Sequence, residues 1–505
     1  MLLSPARFAS LTLLVLALAA AMPRLVAQSS VIAVSGGTLI DGNGGAPVPD
    51  AVILVRDGRI AALGPRSAVP VPADARVIDA AGKFVMPGLI DTNVHLSLYG
   101  GVAERYETLA KYHPRQKEIV LEAAQIDLRH GVTTVRDSYG LLTPLAAVRD
   151  EIAAGRAIGS RILAAGNIIG WGGPYSVSFS LIRELNLTLF QEQVNDEVSH
   201  GVGEDLVDMT PDELKAAIRA YLDQGPDFLK YGGTAHFARP SFVGFSPESQ
   251  KAIVDEAHAR GKVAETHATT ADGLRLSIAA GIDLIQHPEV LGLRELPPAL
   301  VQTIVERQIV CSMLVSTITG EAWTKHLKDA DEAAKKRAEA DKRGEGGGSR
   351  TKTAAELRQR QAEEGLELET RRKNAQALIR AGAVVTAGTD SYWAAAPEFT
   401  RTPKPRNQDH GIGTVMAIEG LVELGMSSAQ AIVAGTKHGA IAARGLAEFG
   451  TLEAGKRADV LVLDANPLED IKNLRKVSTV IKDGKVIDRG ALPQVRVLTR
   501  APSSH

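Results

Sequence analysis

The chain has 505 residues, 45% hydrophobic and 23% charged, which suits one large core domain plus a smaller module. Its formal net charge is -2, so no global field recruits nucleic acid or an anionic membrane surface. The single cysteine, Cys311, sits in the apolar run IVCSML and excludes an internal disulfide framework.

The first element in chain order is a targeting signal. Arg7 precedes an apolar run from Phe8 to Met22, short for a bilayer span, and small residues occupy positions 19–21. Residues 1–28 are therefore expected to form a secretory signal, cut after Ala21 or near Ala27 or Gln28. The mature protein is then exported, periplasmic or secreted, and free of the membrane. An uncleaved anchor is the alternative.

Short alternating strand patterns follow from Val31, Ala51 and Arg76, broken by DG-type turns, and the same texture returns at Ala458 and Val477. The two ends, 29–84 and 450–495, are expected to meet as one small β-sandwich. Residues 85–449 form the domain inserted between them.

That middle alternates strand and helix signals. Eight core strands are expected at 84–91, 133–138, 161–166, 227–232, 263–268, 284–288, 309–314 and 384–390. Helices fall between them, capped for example by Thr210 and Ser246 and stopped by Gly225 and Gly261. Eight such units predict an α/β fold of the (β/α)8 TIM-barrel type. Residues 319–373 break the texture. They are rich in Ala, Lys, Glu and Arg around GEGGGS, and read as two exposed helices joined by a flexible tip. A lid over the site is the alternative to a solvated excursion.

Polar residues cluster at the carboxyl ends of these strands, where barrel enzymes assemble their sites. Asp91, Asn93 and His95 lie at the first strand, Lys230 at the fourth, His267 and His287 at the fifth and sixth, and Asp390 at the eighth. Imidazoles with a carboxylate suit a divalent cation. An ammonium beside a dication is unfavourable, so Lys230 must be neutral, displaced or chemically converted.

Here the chain resembles the amidohydrolase superfamily, particularly its imidazolonepropionase-like and Xaa-Pro-dipeptidase-like branch. MPGLIDTNVH (86–95), GVTTVRD (131–137), FLKYGG (228–233), AGIDLIQHP (280–288), TAGTDS (386–391) and GTLEAGKRADVLVLDANPLEDI (450–471) carry the likeness, which runs from about Val31 to Arg489. The resemblance implies one or two divalent ions, zinc by preference, and a Lys230 carboxylated by carbon dioxide. One ion would take His95, Lys230 and Asp390, the other Lys230, His267 and His287. Asp390 would be the proton shuttle in hydrolysis of a C–N bond in an amide, peptide or cyclic amide.

Asn93 stands where the family has a histidine. Either the first ion site is weakened, takes a harder ion or is empty, or Asn93 serves only as a hydrogen-bonding neighbour. Tyr139, Tyr231, His236 and Arg239 are candidate substrate contacts, with His113 and Trp171 near the same loops. Arg239 would pair with the carboxylate of a dipeptide or N-acyl amino acid. The partner expected is a small molecule, and homo-oligomerisation stays open. The competing readings are an esterase or lactonase on the same fold and a non-catalytic binding protein with a degenerate site.

Overall fold

The computed structural model describes residues 31–99, 111–173, 175–176, 178, 187–236, 241–342, 352–393 and 406–494. The expected signal segment, Arg239 and the glycine-rich tip lie outside these residues.

The described N-terminal part opens with β1 (Ile32–Leu39), β2 (Val48–Arg56), β3 (Arg59–Pro65), β4 (Arg76–Asp79) and β5 (Phe84–Pro87). Asp57 and Gly58 join β2 to β3 with φ of 51° and 79°, the left-handed pair that a two-residue hairpin of matching twist requires. Ten strands follow: β6 (Leu89–Tyr99), β7 (Val132–Asp137), β8 (Arg161–Ala164), β9 (Ile168–Ile169), β10 (Leu229–Gly232), β11 (Ala264–His267), β12 (Leu284–Gln286), β13 (Val310–Met313), β14 (Val385–Ala387) and β15 (Ser391–Trp393). The described C-terminal part contributes β16 (Val460–Leu463), β17 (Val477–Lys482) and β18 (Lys485–Val486).

The two ends do pair. Strands β1–β5 and β16–β18 form one eight-stranded sheet, in which β16 of the C-terminal part runs antiparallel to β5 of the N-terminal part. Its pairings are antiparallel except β1 with β4 and β1 with β5. The sheet has its own core, with Val34, Ile53, Ile60, Val85, Val460 and Ile481. The expected first strand, 84–91, is two strands instead. It divides at Gly88, where a Cβ would overlap the side chain of Thr133; β5 joins the composite sheet and β6 enters the central part.

The central part is α/β, with parallel strands and helices between them. The strand ladders form two parallel sheets, in the orders β15-β6-β7-β8 and β14-β13-β12-β11-β10-β9, rather than one closed ring. Few backbone hydrogen bonds cross the seams. Asp227 N donates to Ala164 O at 2.7 Å, and Thr389 N and Asp390 N donate to Asn93 O at 3.2 and 2.8 Å. Strands of three or four residues leave few partners for a continuous ladder at either seam. One hydrophobic core, including Leu89, Val132, Ile162, Leu229, Ile285 and Met313, spans both sheets.

Helix Pro211–Asp223 begins at a capping box made by Thr210 and Glu213, and Gly225 follows it at φ 89°. Ser246 caps Pro247–Ala259 through the Ser249 amide, and Gly261 follows at φ 66°. The charged segment forms helices Gly320–Lys342 and Lys352–Arg380. The last turns of the second, just past the expected excursion, bury Asn374, Ala375 and Leu378 on the connection from β13 to β14.

Candidate active site

Side chains alternate along a strand, and that parity sorts the candidates. In β10, Lys230 and Gly232 share one face and Tyr231 takes the other; in β11, Glu265 and His267 share a face. Tyr231 is fully buried and donates to Gln250 Oε1 at 3.1 Å on helix Pro247–Ala259. It therefore belongs to the strand–helix interface, a correction to its expected role at the substrate.

Two groups of candidate residues form at the strand ends. In the first, His95 Nδ1 donates to the Tyr139 carbonyl at 3.0 Å, which places Nε2 toward Asp390 Oδ1 at 2.9 Å. With the neutral ring's proton on Nδ1, Nε2 and Oδ1 are both acceptors. They need a second proton or a metal cation between them. Asn93 Nδ2 donates to the same Oδ1 at 3.2 Å. Ser138 Oγ donates to Asn93 Oδ1, and Lys230 Nζ donates to Ser138 Oγ at 3.2 Å.

In the second group, the His267 and His287 rings meet edge to face with centroids 4.5 Å apart. His267 Nε2 and His287 Nδ1 are buried without a hydrogen-bond partner. Burial dominates the ionisation of both. It drives His267 well below its ordinary value and His287 to about 3, so both imidazoles are neutral and carry a lone pair for a cation. Such orphaned buried nitrogens are costly unless something binds them.

Lys230 lies between the groups. Burial lowers its ammonium from the ordinary range, while the charges of Glu265, Asp390 and Asp137 oppose the shift. Burial pushes the Asp390 carboxyl up, but the facing His95, with His287 and Lys230, outweighs it and holds Asp390 below the usual carboxylate range. Among the described residues no three His, Cys, Asp or Glu side chains already converge as a cation cage. The donors present still fit a metal: two neutral imidazoles with unpartnered nitrogens, a third facing a carboxylate, and a buried amine.

His287 and Asp390 both adopt positive φ, 41° and 54°. Non-glycine residues pay strain for this conformation, and strain of this kind clusters at functional sites. Asp91, by contrast, is scaffolding. It is fully buried and accepts Asn93 N, Thr389 Oγ1 and Thr414 Oγ1, and burial raises its carboxyl to about 6.

Aromatic rings border the histidines. Trp171 lies edge-on to His267 at 4.7 Å and to His236 at 5.4 Å, and its Nε1 donates to Thr234 O at 3.2 Å. Tyr139 stands 6.2 Å from His95 and 6.5 Å from Trp171. Tyr112, Tyr175 and Phe190 extend this cluster. His236 is exposed beside it, so the structure brings together Tyr139 and His236 of the expected substrate contacts, with Trp171 between them. His113 is instead paired with Glu197 at 2.7 Å.

The parallel α/β core, the composite sheet and the strand-end polar groups have a known counterpart. The chain belongs to the amidohydrolase family, whose model matches residues 84–487. It is a hydrolase acting on carbon–nitrogen bonds. Among solved structures it is similar to molinate hydrolase, with 32% identity, 94% of this chain and 98% of that chain covered, and a TM-score of 0.81. Phenylurea hydrolase B is similar to the same degree, at 31% identity over 94% of this chain and all of that chain, TM-score 0.81. Ochratoxinase of Aspergillus niger is 25% identical over 482 residues, covering 91% of this chain and 87% of its own.

Proposed function

We propose that the protein is a metal-dependent amidohydrolase on a (β/α)8 barrel. Its substrate would be a small amide or urea bearing an apolar or aromatic group. The observation that carries this reading is the pair of buried neutral imidazoles, His267 and His287, each with an unpartnered nitrogen, beside Lys230 and Asp390. His267, His287 and a Lys230 carboxylated by carbon dioxide would hold one zinc-like ion. His95, Lys230 and Asp390 would offer a second, weaker position.

When bound, the ion supplies a Lewis acid that polarises the scissile carbonyl and brings the pKa of a water molecule toward neutrality. The chain's residues do the rest. Asp390 Oδ1 faces both His95 and Asn93, which leaves Oδ2 to accept the water's proton and pass it to the leaving nitrogen. Trp171, Tyr139 and His236 wall the approach with apolar surface. The aromatic character of that wall, and the phenylurea in the name of phenylurea hydrolase B, favour an aryl-bearing amide or urea over a free dipeptide.

The test is a panel of phenylureas, anilides, dipeptides, N-acyl amino acids and aryl esters, run with metal-loaded and chelated protein. Turnover of the aryl amides or ureas that disappears on chelation is expected. Esters cleaved while every amide and urea is spared would overturn the reading, as would full activity after metal removal. Residues 1–28 are proposed as an export signal, which intact-mass measurement of exported material checks; an uncut N-terminus counts against it.

A further inference from the structure

The long charged helix reaches the site from outside. Arg371 and Asn374 lie one turn apart on helix Lys352–Arg380, hence on one face. They grip opposite ends of Glu289. Arg371 Nη2 lies 3.9 Å from Glu289 Oε1, and Asn374 Nδ2 donates to the Glu289 carbonyl at 3.1 Å. Leu314 N donates to the same Oε1 at 2.9 Å.

Glu289 is fully buried, and its Oε2 has no hydrogen-bond partner. A buried carboxyl is stabilised by a neighbouring cation and by hydrogen bonds, and Arg371 is the cation paired with it. Arg371 is anchored in turn by its bond to Thr317 Oγ1 at 2.7 Å. Asn374 is fixed by accepting Leu296 N at 2.7 Å and donating to Arg294 O at 3.1 Å.

Two residues before Glu289 stands His287, in the turn His287-Pro288-Glu289. Its φ is 41°, its amide donates to Ser312 O at 2.7 Å, and its carbonyl accepts Val290 N at 2.9 Å. A strained backbone persists only where its surroundings hold it. Glu289 is the polar anchor of this turn, and the charged helix supplies two of its three named contacts.

We propose that Arg371 is a positioning residue for the metal site. It acts through Glu289 to hold the turn that presents His287, so helix Lys352–Arg380 and the site share one brace. This rests on the metal-site reading above. It gives the segment a role distinct from a lid, because the coupling runs through its inner end and needs no closure.

The test titrates metal-free protein with Zn2+ and Co2+, following affinity and the Co2+ absorption spectrum at a temperature where circular dichroism shows every variant folded. Arg371→Gln should weaken affinity by about 10-fold, the low end of the cost of losing a group that touches a ligand directly, and should alter the Co2+ spectrum. Arg371→Lys should retain most of it. Glu289→Gln keeps the shape while removing the charge. The double variant should match Glu289→Gln alone, since a neutral side chain leaves the guanidinium nothing to compensate. Lys373→Ala, which loses only an exposed pair with Glu295, should bind like wild type. Wild-type affinity and spectrum in folded Arg371→Gln would overturn the proposal. If that variant fails to fold, Glu289→Gln decides, and an unchanged affinity there overturns it equally. Wild-type protein that takes up no metal would remove the metal reading itself, and the brace with it.

Discussion

Asn93 holds Asp390 twice: its carbonyl accepts Asp390 N at 2.8 Å, and its side-chain Nδ2 donates to Asp390 Oδ1 at 3.2 Å. Its Oδ1 accepts from Ser138, which also accepts Lys230 Nζ. Both polar ends of the amide are committed. Of the two roles open to Asn93, ligand or hydrogen-bonding neighbour, this arrangement favours orientation of the carboxylate.

Metal stoichiometry follows from that role. Protein dialysed without added metal should hold close to one tight ion, on the His267–His287 side. A second should bind only in excess metal. Asn93→His should tighten the second ion, because it adds an imidazole nitrogen where the amide is committed to Asp390 and Ser138. Two equally tight ions in wild type would show that Asn93 does not limit the site.

Lys230 predicts a pH dependence. Burial lowers its pKa, so more neutral amine is present at any pH than in an exposed lysine. Only the neutral amine reacts with carbon dioxide. Falling pH restores the ammonium, so reconstitution of metal-free protein with bicarbonate should proceed less completely as pH falls. Metal uptake against pH measures this. Lys230→Ala should lose metal, and short carboxylic acids should restore part of it.

Asp390 is ionised throughout the working range, since His95, His287 and Lys230 outweigh its burial. Asp390→Asn should lower kcat by roughly 10²- to 10⁴-fold, the usual contribution of a general acid–base group. The variant should stay folded. Near-normal turnover with metal retained would assign the proton transfer to another residue.

The strand positions, the Thr210 and Ser246 caps and the DG hairpin were legible in the sequence because each is a local signal. The polar strand ends were legible for the same reason. Tyr231 was misassigned although the signal was available. With Lys230 facing inward, period-two alternation puts Tyr231 outward. The parity of His267 likewise places Glu265 inside. The pairing of Arg371 with Glu289, 82 positions apart, had no local signature. A charged helix reads as solvated until packing shows which of its turns are buried.

Gly232 sets the position of the aromatic wall. A Cβ there would overlap the Trp171 indole, with Nε1 the nearest atom. Gly232→Ala must push Trp171 from the bond it makes to Thr234 O. Overpacking of this kind costs about 1–3 kcal/mol, readable as a lower denaturation midpoint. If Trp171 walls the substrate as proposed, KM for aryl substrates should rise more than kcat falls, because Gly232→Ala replaces none of the proposed metal donors. An unchanged KM would remove Trp171 from the substrate wall.

Beneath the site, Arg136 and Glu265 form an ion pair at 2.8 Å with both side chains fully buried. The guanidinium lies over the Phe228 ring at 3.9 Å, and Gln286 Nε2 donates to Glu265 Oε1 at 2.9 Å and to Thr92 O at 3.1 Å. These contacts tie together β6, β7, β11 and β12, which lie in both parallel sheets. Breaking one partner strands a charge in the interior. Arg136→Met or Glu265→Leu alone should therefore cost about 3–5 kcal/mol, whereas the double replacement should be close to neutral, since burying two ions costs nearly what their attraction returns. Lys230 feels both charges, with Glu265 favouring its ammonium and Arg136 opposing it. A stable double variant would keep its fold while changing the ionisation of Lys230. Urea denaturation of the two single variants and the double measures the coupling. Additive losses in the double variant would mean that the two side chains stabilise the protein independently, and the pair would not be what joins the two sheets.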